Sequence, residues 1–176
     1  MKKRFLYILL FSIFFIGCSQ KTNRYAKPTD ILHEQALTQT QKVQIKKQKK
    51  TKIYFIITYI SRIDSDLLKI DNLVDKFIVS AYIPSDEDKE NYKKIFFKID
   101  RKDPIAVDEL KKDSDLLSLL FSSTSWSRYY LVQAPVDSSK QGVLFEVGVK
   151  NLGSAKVEFH DKYGNLPMQK IINLSR

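Results

Sequence analysis

From Ile53 onward, apolar residues recur at every second position. Ile95, Phe97 and Ile99 alternate with Phe96, Lys98 and Asp100. Val143, Phe145, Val147 and Val149 alternate with Leu144, Glu146, Gly148 and Lys150, and Ala155, Val157 and Phe159 alternate with Lys156, Glu158 and His160. Such alternation marks strands with one face against a core. Phe77, Val79, Ala81 and Ile83 form another such face. The run Ile53 to Ile60 is apolar on both faces, which predicts a central strand. Tyr129 to Ala134 and Gln169 to Leu174 are further candidates.

Turn residues punctuate these runs. Asn151-Leu152-Gly153-Ser154 reads as a hairpin loop, Lys162-Tyr163-Gly164-Asn165 as a second turn, and Pro84-Ser85-Asp86 ends the strand before it. Short helical interruptions are expected at Val107 to Lys112 and at Asp113 to Leu120. In the latter, Asp113 or Ser114 would cap a turn carrying Leu116, Leu117, Leu119 and Leu120. About seven short strands joined mostly by hairpins predict a mainly β chain folded as an antiparallel β-sandwich. An immunoglobulin-like arrangement is the first choice and an α+β domain the alternative.

The first 52 residues follow a different pattern. Lys2, Lys3 and Arg4 precede an apolar run from Phe5 to Ile16, broken only by Ser12 and ended by Ser19, Gln20 and Lys21. A membrane-crossing helix needs about 20 apolar residues, and this run is shorter. A basic start and a short apolar run fit a secretory signal. The run closes on Phe15-Ile16-Gly17-Cys18. This resembles the lipobox of bacterial lipoproteins, although Phe15 and Ile16 are bulkier than its usual occupants. The resemblance implies that the Cys18 thiol receives a diacylglycerol and that the chain is cut between Gly17 and Cys18. Residues 1–17 would be the signal peptide. Each buried methylene contributes about 0.8 kcal/mol, so acyl chains would hold the protein on membrane lipid without a transmembrane helix. Ser19 resembles the residue that follows the cysteine in some outer-membrane lipoproteins, so a lipid-anchored envelope location is expected, at the outer membrane where there is one. Cys18 is the only cysteine, so no intramolecular disulfide is available.

The formal charge of +10 raises the question of nucleic acid, and its distribution answers it. Residues 19–52 hold nine basic residues against Asp30 and Glu34, while residues 53–176 hold 18 of each sign. A broad basic face is therefore not expected on the domain, and nucleic acid is not an expected partner. Residues 18–52, rich in Gln, Lys and Thr, read as the lipidated cysteine and a basic flexible tether, with a short helix at Asp30 to Leu37. The domain is expected over residues 53–176.

Candidate chemistry is sparse. His33 lies in the tether and His160 on the polar face of a strand. Glu158, His160 and Asp161 lack the spacing of a metal site. Asp86-Glu87-Asp88 and Glu90 interleave with Lys89, Lys93 and Lys94 and lack calcium-loop spacing, so a solvated loop is expected. Ser122-Ser123-Thr124-Ser125 carries no nucleophile elbow, and five glycines leave little room for a phosphate loop. No cofactor and no metal are expected. Trp126, Tyr129 and Tyr130 form an aromatic group near Arg128, with core packing as its default role; if Trp126 is exposed on a loop, the group becomes a candidate for recognition. The function expected is a non-enzymatic envelope lipoprotein whose β-domain binds another envelope protein or a surface polymer. The alternatives are a hydrolase using His160 and an anchored small-ligand carrier, the last requiring a large apolar cavity between the sheets.

Overall fold

The computed structural model describes residues 28–63, 73–137 and 142–160. They form helix α1 (Pro28–Thr38) and eight strands: β1 (Thr40–Lys47), β2 (Lys50–Tyr59), β3 (Val74–Tyr82), β4 (Ile95–Ile99), β5 (Ala106–Leu110), β6 (Arg128–Pro135), β7 (Gly142–Val149) and β8 (Gly153–His160). The strands make two antiparallel sheets, one ordered β1-β2-β3-β6-β5 and the other β4-β7-β8. The protein is mainly β, a sandwich, as the alternation predicts. With β1 set aside, the orders β2-β3-β6-β5 and β4-β7-β8 are those of the seven strands of a constant-type immunoglobulin domain. β1 is an eighth strand added beside β2.

Period two is obeyed residue by residue. Ile53, Phe55, Ile57 and Tyr59 of β2 and Phe77, Val79 and Ala81 of β3 turn inward. They meet Phe97, Val143, Phe145, Val147, Val157 and Phe159 of the second sheet in one cluster. Aromatic rings fill the space between the sheets. Phe77 lies 4.6 Å from Tyr59 and 4.8 Å from Phe145, centroid to centroid, and Phe97 lies 5.5 Å from Tyr130. At one end of this core the Tyr59 hydroxyl donates to the buried Asp75 carboxylate, which satisfies a charge that would be costly alone.

A third layer lies outside the first sheet. Ile60, Ile78 and Tyr129 pack under Ala36 of α1 and under Leu117 and Leu119 of a 3-10 helix at Asp115–Leu119. Pro28 suits the first turn of α1, where its missing N–H is not needed. At the other end Thr40 donates its hydroxyl to the Ala36 carbonyl at 2.6 Å and meets the Thr58 hydroxyl at 2.8 Å, fastening helix to sheet.

Two expectations are corrected. Residues 28–52 are not a tether: they supply α1, β1 and the start of β2. Lys42-Val43-Gln44-Ile45-Lys46 is itself a period-two segment, with Val43 and Ile45 buried in the core and the polar residues exposed. The folded region therefore starts well before Ile53. The helix expected at Asp30 to Leu37 is present as α1. Six of the nine basic residues of 19–52 (Lys42, Lys46, Lys47, Lys49, Lys50 and Lys52) stand on the β1–β2 hairpin, which has no acidic residue. Its two-residue loop holds Gln48 and Lys49 at φ 51° and 64°, the backbone of a type I′ turn. The second correction concerns Val107 to Lys112, expected as helix. It is largely β5, an edge strand paired from Ala106↔Gln133 to Leu110↔Tyr129. The interruption at Asp113 to Leu120 is present as the 3-10 helix. The leader with Gly17 and Cys18, the turn at 162–165 and the strand at 169–174 lie outside the described residues.

Candidate aromatic groove

Helix α1 and the 3-10 helix cover only one end of the first sheet's outer face. At the other end the strand register sets residues abreast. Lys42, Ile56 and Ser80 form one row across β1, β2 and β3, and Gln44, Tyr54 and Tyr82 form the next. Thr124, Trp126 and Ser127, on the connection into β6, form the opposite wall. Together these residues bound a groove of about 740 Å³.

The groove leaves aromatic surface in water. Tyr54 is 43% exposed, Tyr82 38% and Trp126 74%. The Tyr54 and Tyr82 rings lie 6.2 Å apart and 25° from parallel, the offset arrangement that aromatic pairs favour. Lys42 and Lys46 stand on the β1 side, and no acidic residue lines the groove. The remaining polar lining is Gln44, Ser80, Thr124 and Ser127. Thr124 and Ser127 share a hydroxyl contact of 3.0 Å, and the Tyr129 hydroxyl accepts the Thr124 N–H at 2.6 Å. These bonds hold the connection that carries Trp126.

A cleft of about 1000 Å³ adjoins it and shares Tyr82, Trp126 and Ser127. Its charges are of both signs, Lys89, Lys111, Lys112 and Arg128 against Asp86 and Glu109. The Arg128 guanidinium carbon lies 4.5 Å from the Tyr92 ring centroid, and its Nη1 is 3.7 Å from Glu109 Oε2. Lys89 Nζ lies 2.5 Å from Asp86 Oδ1. Their hydrogen bond and charge attraction hold the Asp86 carboxyl below its ordinary range and lift the lysine above its own. Burial, and then the Glu109 charge, raise the Tyr130 hydroxyl against the pull of Arg128.

The aromatic group at Trp126 to Tyr130 divides. Trp126 is exposed and Arg128 is half-exposed over Tyr92. Tyr129 and Tyr130 alternate to opposite faces of β6, both buried, Tyr129 under the outer layer and Tyr130 in the core. Those two tyrosines are packing residues, because period two buries both faces of this interior strand. Tyr54 and Tyr82 take their place in the exposed set. Sequence reading passed over them because Tyr54 sits in an apolar run and Tyr82 at a strand end; the signal was their even-numbered position opposite the core set.

The other candidates stay apart. His160 is exposed at the end of β8, 3.9 Å from Glu158. Ser122 to Ser125 lie on the connection outside the other sheet, so the sandwich stands between them and His160. The His33 Nε2 is 2.9 Å from the Ser118 carbonyl oxygen, bridging α1 to the 3-10 helix. The acidic cluster forms a run of 3-10 turns at Asp86–Lys94, with Asp88 paired to Lys52 at 2.8 Å. Among the described residues no group of three or more His, Cys, Asp or Glu is placed to hold a metal ion. No helix among them is long and apolar enough to cross a membrane. Comparisons with protein families, curated proteins and solved structures found no match.

Proposed function

We propose that the protein is an envelope lipoprotein, held to its membrane through acylated Cys18, whose β-domain is a non-enzymatic binding module for an envelope protein or surface polymer. The observation that carries the binding half is the uncovered end of the first sheet's outer face. The same sheet face is apolar where α1 covers it, yet here three large aromatic side chains remain in water. Exposed aromatics set among polar groups mark recognition surfaces more often than idle ones. The anchoring half rests on the junction of a short apolar run with Gly17-Cys18. Only nine residues, 19–27, separate Cys18 from α1. That chain reaches at most about 36 Å, so the module would work close to the membrane surface rather than on a long leash.

The test is site-specific photocrosslinking in intact cells. A photoreactive residue at position 54 or 126 should yield specific adducts. The same residue at Lys98, on the outer face of the second sheet, should not. Equal labelling from all three positions, or none from 54 and 126, would remove the groove as the binding face.

A further inference from the structure

The groove's lining narrows the chemistry of what it takes. Its floor is built from β2 and β3, and both are interior strands whose backbone groups are spent on neighbours at either side. A peptide therefore cannot add to the sheet there as an extra strand, the mode that supplies main-chain hydrogen bonds in strand addition. What the groove offers is side chains alone. Tyr54, Tyr82 and Trp126 give ring surface. Gln44, Ser80 and Thr124 bring hydroxyl and amide groups. Lys42 and Lys46 put positive charge along one rim with no carboxylate to cancel it. The surrounding hairpin deepens that positive field, since Lys47, Lys49 and Lys50 are also exposed and the hairpin holds no acid.

We infer that the groove binds an acidic glycan, a chain of sugar rings bearing carboxylate groups. The flat apolar faces of such rings would lie against Tyr54, Tyr82 and Trp126. Their hydroxyls would bond to Gln44, Ser80 and Thr124, and their carboxylates would face Lys42 and Lys46. The adjoining cleft differs in having carboxylates in its lining, Asp86 and Glu109 beside Lys89 and Arg128, which would repel an acidic chain where the groove would not. The inference rests on the groove being the binding face.

Trp126 is the only tryptophan in the chain, so its fluorescence reports on this groove and on the cleft that shares it. The Tyr54 and Lys42/Lys46 variants, which line the groove and not the cleft, tell the two apart. The mature full-length protein in detergent is titrated with oligogalacturonate while Trp126 emission is followed. Saturable change is expected, weakening as salt screens the charges. Tyr54→Leu, which keeps an apolar strand residue but removes the ring, should weaken binding by about tenfold, as should Lys42→Ala with Lys46→Ala. A neutral cello-oligosaccharide should bind more weakly than oligogalacturonate. Unchanged far-ultraviolet circular dichroism would show that the variants fold.

Four results would overturn the inference: no response to oligogalacturonate; equal response to the neutral glycan; equal or stronger response to polyglutamate, oligodeoxythymidylate or phosphatidylglycerol vesicles; or full binding by Tyr54→Leu. The first, combined with specific crosslinks from position 126 in cells, would discard the glycan and leave the groove as a binding face. Without those crosslinks both would fall.

Discussion

Strand β3 tests the layered architecture because adjacent residues on it serve different layers. Phe77 and Ile78 are both fully buried. Phe77 points between the sheets, with ring centroids 4.6 Å from Tyr59, 4.8 Å from Phe145 and 5.7 Å from Phe159. Ile78 points the other way, under Ala36, Leu117 and Leu119. Phe77→Ala removes a ring touching three others, so its cost should sit near the upper part of the usual range of about 3–5 kcal/mol. Lost ring pairs add to the lost burial. Ile78→Ala should cost about 2–4 kcal/mol, toward the lower end because its cover is a helix and a short 3-10 segment that can settle inward. A small domain has about 5–15 kcal/mol in total, so Ile78→Ala should remain folded in water with a strong shift, while Phe77→Ala should shift further still and would use up the whole stability of a domain at the low end of that range. Urea unfolding followed by circular dichroism would measure them, with the m-value as the check on compactness. A two-layer sandwich without the outer cover would leave Ile78 in water. A cost below about 0.5 kcal/mol for Ile78→Ala, typical of surface sites, would refute the third layer. The same result for Phe77→Ala would refute the register of the sheet itself.

Other outcomes follow from single contacts. A Cβ built on Gly148 would lie 2.4 Å from the Phe96 ring and 2.8 Å from the Gly153 carbonyl oxygen; Gly148→Ala should therefore destabilise by about 1–3 kcal/mol in the same denaturation assay. The Tyr130 hydroxyl is raised above its ordinary range, so the fold favours the neutral phenol. Its contribution is complete below the unfolded value of about 10 and is lost as pH rises through the folded value. Stability measured from neutral to alkaline pH should thus fall less for Tyr130→Phe than for the parent. Intact mass of the mature protein should show acylated Cys18 at the N-terminus, and Cys18→Ala should leave the precursor uncut; a mature chain retaining Met1 or a free Cys18 thiol would exclude the anchor.

Much of the fold was legible where a strand had several large apolar residues on one face. Phe97, Val147 and Phe159 all lie in the core as period two requires. Legibility failed at the edges. β1 buries only Val43 and Ile45, and its lysines, which discourage pairing with foreign strands, gave the segment the composition of a linker. β5 carries Asp108 and Glu109, poor strand formers held in place by pairing with β6. The groove was harder still. It is assembled from β1, β2, β3 and a distant connection, so its members are neighbours only through register. Trp126 was visible as a candidate, whereas Tyr54 and Tyr82 acquire meaning only when Gln44, Tyr54 and Tyr82 are set abreast. The outer cover also had to be known, since it decides which half of the face stays in water.

The freedom of Trp126 is the point on which the binding face depends, and it can be measured without any ligand. At 74% exposure, the single indole of the native protein should emit like an indole in water. Acrylamide should quench it nearly as efficiently as it quenches free N-acetyltryptophanamide. A blue-shifted emission protected from acrylamide in the native state, and released only on unfolding, would place Trp126 in a packed interior and contradict the groove.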